Sequence, residues 1–386
     1  MSKKYKNKEK TMKRYFGSGT TVHLNGNSKV LVTGGAGFFG SHICEKLLLD
    51  GKQVIVVDVL NNETSSRVQK KNYIEHLNEL SKNKEGAQFR MYELDILQEN
   101  LLSEVLKEEA PTSCIHAAAL VRDRKSVEEP IRYIINNVLG TQSLLNAIRQ
   151  TDTIRRLVLI SSRSAVGETS AVDDKMTEND LLRPINPYGA TKVAVEALCH
   201  AFYKNFGLSV AICRMEPLYG PRCRRDMMPS LLFESALHNK VVKKYGSGSA
   251  VRDWLYVEDA ALGILAALNN SEMFSIFNFG TGIGTTLNDL IQMVMEITGK
   301  KLNLVDENVP PGDAVFAGVC DSQKAKKMLD WEAKIDLKTG LKITYEYMKK
   351  NEDINDWAYA KVGLDDISQG NLPVPVNMSV PFWKNL

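Results

Sequence analysis

The chain has 386 residues, 44% of them hydrophobic and 25% charged, which is typical of a globular protein with a large buried core. Its net charge of +3 is too small to indicate a nucleic-acid partner. In the first 14 residues seven basic side chains less one glutamate give +6, which leaves −3 for the remainder. We predict that residues 1–28 are a solvated, disordered tail; a basic arm for a membrane or nucleic acid is the alternative.

Neither a membrane span nor a metal site is expected. The longest apolar stretch, around Ala260–Leu268, is far shorter than the ~20 residues that cross a bilayer. The cysteines are scattered without a CxxC pair, so we expect reduced thiols and a cytoplasmic protein. The histidines show no ligand spacing, and His116 is interpreted as a packed core residue.

From Lys29 onward, short β-branched runs alternate with helical stretches. This alternation predicts an α/β fold over residues 29–216, with a Rossmann-type doubly wound parallel sheet. Helices would cover both faces of that sheet, because its strands are continuously apolar. The predicted strands are Val30–Thr33, Val54–Asp58, Phe89–Glu93, Cys114–Ala118, Leu157–Ser161 and Val210–Arg214.

The strand pattern thins out after about Pro217. Residues 217–350 predict a smaller, mixed α/β domain that faces the substrate. Residues 351–386 form an extension whose role the sequence does not indicate. Helices are predicted near Met228–Leu237, Val257–Leu268, Leu287–Thr298 and Leu337–Lys349.

The first predicted strand runs into a glycine turn that spans Gly34–Gly40 and leads into a helix. Gly34 permits a tight turn, Gly37 lets the backbone approach a pyrophosphate, and Gly40 allows close packing of the helix on the sheet. The pyrophosphate would then lie at the helix N-terminus. Because the second strand ends at Asp58, whose carboxylate would bind the ribose diol and repel a 2′-phosphate, the predicted cofactor is NAD.

Tyr188 and Lys192 are separated by one helical turn, so their side chains share one face of a predicted helix. Tyrosine, with a pKa near 10, is a poor base at neutral pH, but a nearby ammonium lowers that pKa. Ser162 ends the fifth predicted strand and would share the proton of the substrate oxygen, or else cap a turn. These three are the predicted catalytic residues.

The predicted cofactor site draws on the ends of several strands. Asp95 closes the third strand, where it would contact adenine or cap the following helix. The predicted cofactor-binding residues are Gly34, Gly37, Phe38, Phe39, Gly40, Asp58, Asp95, Ile96, Ala117, Tyr188 and Lys192.

Together these motifs resemble the extended short-chain dehydrogenase/reductase superfamily, and within it the NAD-dependent epimerase/dehydratase family. The resemblance covers about residues 29–348 and implies a nucleotide-sugar substrate. It also implies a homodimer that pairs through the helices after the fourth and fifth strands. Further matching segments are His116–Ala119, Asn137–Thr141, Tyr219–Arg222, Arg252–Asp259 and Asn278–Gly282.

The chain is most similar to the UDP-glucuronate and UDP-glucose 4-epimerases, through Val121-Arg122, Ser126–Pro130 and Pro221–Met227. That similarity implies a UDP-sugar substrate and transient oxidation at sugar C4, with Tyr188 as the base and NAD regenerated in each cycle. The predicted substrate-binding residues are Arg122, Arg163, Arg224 and Arg252.

Two of these arginines have alternative interpretations. The resemblance implies that Arg252 contacts the nucleotide diphosphate, whereas an ion pair with Asp253 is its structural alternative. Arg224 would lie beside the sugar, where it could recognise a C6 carboxylate, or would anchor a loop.

Two departures from the family pattern affect the sugar end of the site. Arg163 follows Ser162 where the family has a small polar residue, and Pro217, after Glu216, replaces a polar residue that faces the substrate. Arg163 would pair with a substrate carboxylate or phosphate, or point into solvent. The 4,6-dehydratases carry Asp-Glu where this chain has Arg163 and Ser164, which argues against dehydration. Net oxidation, decarboxylation and a non-catalytic NAD-binding regulator remain the alternative functions.

Overall fold

The computed structural model describes residues 28–63, 65–168, 175–313 and 318–351, all of which belong to one compact unit. The predictions for the N-terminal tail and the C-terminal extension lie almost entirely outside these residues. None of the described helices is long and apolar enough to cross a membrane.

A sheet of seven parallel strands forms the centre of the fold, in the spatial order β12-β7-β5-β4-β1-β2-β3. Its strand order reverses between β1 and β4, which is where α/β sheets of this kind bind their ligands. The strands are β1 (Lys29–Thr33), β2 (Gln53–Asp58), β3 (Gln88–Glu93), β4 (Ser113–His116), β5 (Arg156–Ser162), β7 (Ser209–Met215) and β12 (Phe274–Phe279).

Helices connect these strands and cover both faces of the sheet. Between β5 and β7 runs the longest helix, α7, which carries Tyr188 and Lys192 as predicted. The helices are α1 (Phe38–Leu49), α2 (Arg67–Lys82), α3 (Glu99–Glu109), α4 (Asp123–Glu128), α5 (Pro130–Tyr133), α6 (Gly140–Thr151), α7 (Pro187–Phe206), α8 (Met228–His238), α9 (Val257–Asn269), α10 (Leu287–Thr298), α11 (Gln323–Leu329) and α12 (Leu337–Lys350).

Short elements complete the fold. A π-helical turn (Ile134–Leu139) joins α5 to α6, and a 3₁₀ turn (Arg163–Ala165) follows β5. The short strands are β6 (Lys175–Met176), β8 (Leu218–Tyr219), β9 (Val242–Tyr245), β10 (Val251–Arg252), β11 (Leu255–Tyr256), β13 (Thr285–Thr286), β14 (Leu304–Glu307) and β15 (Val319–Cys320).

The apolar strands are buried on both faces, as predicted. In β2, Val54 and Val56 pack with α1 and α9, whereas Ile55 and Val57 pack with α3 and α6. A third apolar core, which includes Phe233, lies among α8, α10 and α12. The seventh strand, β12, comes from beyond residue 217 and pairs along its whole length with β7. The division into domains near that residue stays a prediction.

The fourth strand is shorter than predicted and ends at His116, not Ala118. The chain leaves the sheet at this point because Ala118 lies against the glycine turn. A Cβ atom added to Gly34 would be only 2.7 Å from the Ala118 backbone nitrogen. His116 hydrogen-bonds Thr33 and Thr141 through its two ring nitrogens at 2.6 and 2.9 Å. Burial lowers the pKa of His116 to about 3, so it is the neutral core residue that the sequence predicts.

Candidate active site

A cavity of about 950 Å³ runs from the glycine turn to the segments after residue 217. It is bounded by the carboxyl ends of β1, β4, β5 and β7, as expected at the switch point of the sheet. Asp58, Asp95 and Ile96 lie outside it. The predicted site residues that line it are Gly34, Gly37, Phe38, Phe39, Gly40, Ala117, Arg122, Ser162, Arg163, Tyr188, Lys192, Arg224 and Arg252.

The glycine turn has the geometry of a pyrophosphate cradle. Gly34 has a φ of +71°, which side chains rarely adopt, and a Cβ on Gly40 would lie only 2.1 Å from the Gly34 carbonyl oxygen. Gly37 precedes the first turn of α1, whose backbone N–H groups point toward the cavity end of the helix. The turn therefore has the close backbone approach and the helix N-terminus that a dinucleotide requires.

Asp58 is held at the end of β2 by three groups. Its carboxylate accepts hydrogen bonds from the backbone nitrogens of Ala36 at 3.2 Å and Leu60 at 2.9 Å. Lys70, on α2, forms a buried ion pair with it at 3.0 Å. The motif analysis missed Lys70 because the pairing depends on how α2 packs beside β2.

Asp95 and Ile96 follow β3. The Asp95 carboxylate accepts a hydrogen bond from the Leu97 nitrogen at 2.9 Å, forming a local turn. The alternative role of Asp95 as a helix cap is wrong, because the residue that precedes α3 is Gln98. Ile96 is buried and packs against Gly140, in the space that a side chain at that position would need.

Tyr188, Ser162 and Lys192 meet at the middle of the cavity wall. Ser162 is close enough to the Tyr188 phenol for hydrogen bonding from its hydroxyl to favour the ionised form. Lys192 lies one turn further along α7, with its Nζ atom donating to the Ile160 carbonyl oxygen at 2.7 Å. Ser162 also accepts a hydrogen bond from the Ser164 nitrogen at 3.1 Å, so it caps the 3₁₀ turn while facing Tyr188.

The sequence predicts that the nearby ammonium lowers the pKa of Tyr188. That prediction is wrong for this structure. Burial raises the pKa of the Tyr188 phenol, and the nearby Asp123 carboxylate acts in the same direction. The hydrogen bond from Ser162 and the charge of Arg224 oppose this rise without cancelling it. Burial also lowers the pKa of Lys192 to about 8, because its ammonium is removed from water.

Two polar side chains fix the start of α7. Asn186 precedes the helix and accepts a hydrogen bond from the Gly189 nitrogen at 2.8 Å. Ser126, on α4, accepts one from the Tyr188 nitrogen at 3.0 Å. Both hydrogen bonds hold the backbone at Tyr188. The bond to Ser126 joins residues far apart in sequence, so local patterns could not predict it.

Arg163 does not point into solvent; that alternative is wrong. The side chain is buried, and its Nη2 atom donates to the Gly167 carbonyl oxygen. Its Nε atom lies 3.9 Å from the Glu216 carboxylate. Both Glu216 oxygens are buried without a hydrogen bond within the described part of the chain, and burial raises the pKa of Glu216 well above its usual range.

Arg122 and Arg224 share one acidic partner. The Asp226 carboxylate forms ion pairs with Arg122 at 2.8 Å and with Arg224 at 3.0 Å. Both arginines line the cavity, so the cavity wall here carries two cations and one anion.

The alternative role of Arg252 as an ion-pair partner of Asp253 is also wrong. Asp253 is fully buried and accepts hydrogen bonds from Thr281 and from the Gly282 nitrogen. Arg252 donates to the Val251 carbonyl oxygen at 2.7 Å and lines the cavity. Its guanidinium group therefore stays beside the space that a ligand would fill.

A carboxylate that the motif analysis missed, Asp123, also lines the cavity. One of its oxygens accepts hydrogen bonds from Asn186 at 3.0 Å and Ser164 at 3.3 Å. Asp123 begins α4, next to Arg122 in sequence. No spacing rule connects it to Tyr188, because the fold alone brings them together.

Comparison with known proteins establishes the family. The sequence profile of the NAD dependent epimerase/dehydratase family matches residues 30–280. The chain belongs to this family. NAD is therefore the cofactor of this protein.

Characterised members of the family resemble the whole described fold. The chain is 33% identical over 325 residues to a UDP-glucuronate 4-epimerase of Thermodesulfobacterium geofontis, covering 84% of this chain and 97% of the relative. A UDP-glucuronic acid 4-epimerase from Bacillus cereus, solved with UDP-glucuronic acid and NAD, has a TM-score of 0.75, 32% identity and coverage of 83% and 99% of the two chains. A UDP-glucose 4-epimerase from Thermotoga maritima, solved with UDP-glucose, has a TM-score of 0.75, 33% identity and coverage of 84% and 100%.

Metal-ligating side chains do not gather anywhere in the described ranges. No group of three or more histidine, cysteine, aspartate or glutamate residues there could hold a metal ion.

Proposed function

We propose that this protein is an NAD-dependent nucleotide-sugar 4-epimerase that acts on a UDP-sugar. The observation that carries the proposal is that Tyr188 and Ser162 lie together on the wall of a cavity that begins at the glycine turn. A sugar hydroxyl placed between these two groups would lie within reach of a proton acceptor. The same cavity offers Arg252 for the diphosphate.

Each residue of the site has a role in this reaction. Tyr188 removes the proton of the sugar C4 hydroxyl and returns it at the end of the cycle, while Ser162 shares that proton. Lys192 stays fixed by the Ile160 carbonyl oxygen and supplies positive charge beside the tyrosine. The glycine turn would hold NAD, which when bound would supply reversible hydride transfer at C4.

The geometry of the glycine turn supports the proposed cofactor-binding residues. Gly34, Gly37 and Gly40 hold the pyrophosphate, with Phe38 and Phe39 in the first turn of α1 beside it. Asp58 forms an ion pair with Lys70, and its remaining oxygen lone pairs accept hydrogen bonds from the adenosine ribose. Asp95, Ile96 and Ala117 complete the cofactor site at the ends of β3 and β4.

The decisive experiment is incubation of the pure protein with UDP-glucose, UDP-glucuronate and UDP-xylose, with products separated by chromatography. We expect the C4 epimer of at least one sugar. Tyr188→Phe should abolish that activity without releasing NAD, since the phenyl ring keeps the packing and loses only the hydroxyl. Net NADH or released carbon dioxide would indicate oxidation or decarboxylation, and NAD binding without any turnover would indicate a regulator.

We propose that the protein forms a homodimer. Exposed apolar side chains follow one another along α4, α5 and the π-helical turn, which come directly after β4. Such a stretch is costly to leave in water and suits a partner surface. Sedimentation velocity should give the dimer mass, and Ile131→Glu should yield monomers. The exposed side chains are Val127, Ile131, Ile134, Ile135 and Leu139.

We also propose a cytoplasmic location. All six cysteines are free thiols, and five of them are buried. A reducing compartment preserves such thiols. Fractionation of cells that produce the tagged protein would test this.

A further inference from the structure

Asp123 presents half of its carboxylate to the cavity. Its Oδ1 atom is anchored by Asn186 at 3.0 Å and Ser164 at 3.3 Å. Both of these hydrogen bonds go to Oδ1, the described residues donate none to Oδ2, and Asp123 lines the cavity. One oxygen thus fixes the orientation of the group while the other stays available for a ligand.

The position of Asp123 places that oxygen beside the reaction centre. Asn186 and Ser164, which anchor it, lie within two residues of Tyr188 and Ser162 respectively. Asp123 is close enough to Tyr188 to raise the pKa of the phenol. The ligand group that meets Oδ2 is therefore part of the sugar.

Two arginines at this end of the cavity already have an acidic partner, because Arg122 and Arg224 share Asp226. A sugar carboxylate would therefore compete with Asp226 for these arginines, and it would meet the additional negative charge of Asp123. A sugar hydroxyl would instead donate a hydrogen bond to Oδ2.

We propose that Asp123 is a specificity-determining residue, which accepts a hydrogen bond from a sugar hydroxyl and makes the enzyme prefer a neutral UDP-hexose to a UDP-hexuronate. This inference rests on the proposed epimerase function and specifies its substrate class. This preference would differ from that of the UDP-glucuronate 4-epimerases that the chain resembles. A like charge that repels the wrong ligand creates specificity, as an added attraction to the right ligand also does.

Other charged groups face Asp123 from the elements packed around it. Arg163, on the 3₁₀ turn, favours its ionised form, whereas Asp313, between β14 and β15, opposes it. Arg252, on β10, interacts with Asp123 as well. Burial raises the pKa of the Asp123 carboxyl, so the discrimination against hexuronates should strengthen as the pH rises.

The test compares UDP-glucose and UDP-glucuronate on protein saturated with NAD, by titration calorimetry for binding and by kcat/KM for turnover. We expect the wild type to bind UDP-glucose more tightly by about tenfold or more. Asp123→Asn keeps the size of the side chain and an oxygen for Asn186 and Ser164, but removes the charge. It should reduce that preference by about tenfold, mainly by improving UDP-glucuronate.

A matched control is Glu129→Gln, which removes a partly exposed carboxylate just after α4 that does not line the cavity. It should leave the preference unchanged. Tighter binding of UDP-glucuronate to the wild type, or equal preferences in wild type and Asp123→Asn, would overturn the inference while leaving the epimerase proposal intact. Because binding is measured directly, binding of the sugars without turnover would refute the proposed epimerase activity and leave the role of Asp123 in sugar preference intact.

Discussion

The Lys192 ammonium lies 5.7 Å from the centroid of the Tyr188 ring, and its hydrogen bond goes to the Ile160 carbonyl oxygen of β5. The cation is therefore fixed by the sheet and does not depend on the tyrosine for its position. Since both side chains are buried, the ammonium has little water to stabilise it, and its pKa falls to about 8.

This depressed pKa gives a prediction for Lys192→Met. Between about pH 8 and pH 10.5 the unfolded chain holds a proton on Lys192 that the folded apoprotein has lost, so the free energy of unfolding should rise with pH. The rise should reach at most about 3 kcal/mol and be absent in Lys192→Met, as measured by urea denaturation at pH 7.5 and 10. Equal pH dependence in the two proteins would contradict the burial of a charged ammonium. Epimerase activity should fall about 100-fold or more.

Gly40→Ala should prevent retention of NAD. The new Cβ would lie 2.1 Å from the Gly34 carbonyl oxygen, which forces α1 away from the turn that holds the pyrophosphate. NAD released from the purified, heat-denatured protein measures the effect. Gly299→Ala is the matched control, because its φ of +67° also costs stability while nothing lies within 4 Å of the added carbon. Its NAD content should equal that of the wild type.

Glu196→Gln should destabilise the fold behind the active site. Glu196 forms a buried ion pair with Arg214 at 2.8 Å and accepts a hydrogen bond from Ser161 at 2.5 Å. Removal of its charge leaves a buried guanidinium group without a counter-ion, at a cost of about 3 kcal/mol in the free energy of unfolding. Glu332→Gln breaks the exposed pair with Lys326 and should have no measurable effect. Equal stability of the two variants would refute the contribution of the buried pair.

Glu216→Gln should change how stability depends on pH. Burial raises the pKa of Glu216, so the folded wild type binds the Glu216 proton more tightly than the unfolded chain does. Its stability therefore falls as the pH rises above about 4.5, the ordinary pKa of glutamate. The free energy of unfolding of Glu216→Gln, relative to that of the wild type, should increase from pH 5 to pH 8. A constant difference would show that Glu216 is not protonated preferentially in the fold.

The parts of the candidate site whose local geometry follows from the sequence are those encoded by short-range patterns. The Gly34–Gly40 turn depends on three glycines in one strand-to-helix connection, and Tyr188 and Lys192 depend on one helical turn. In each case short-range geometry places the groups before any tertiary packing is known.

Predictions failed where packing between distant segments decides the outcome. The 3₁₀ turn after β5 directs Arg163 inward to Glu216, which lies 53 residues further along the chain. Asp123 reaches Ser164 only because α4 packs against the start of α7. The raised pKa of Tyr188 likewise reflects its burial and the nearness of Asp123, neither of which a Tyr-x-x-x-Lys spacing reveals.

The pairing of β12 with β7 joins the part of the chain beyond residue 217 to the sheet built by residues 29–216. Each residue of β12, from Phe274 to Phe279, has a partner in β7. A protein shortened to residues 29–216 would lose β12 and expose the backbone hydrogen-bonding groups of β7 as a sheet edge. Such an edge invites aggregation, so the dinucleotide-binding half would be hard to obtain as an independent, well-behaved fragment.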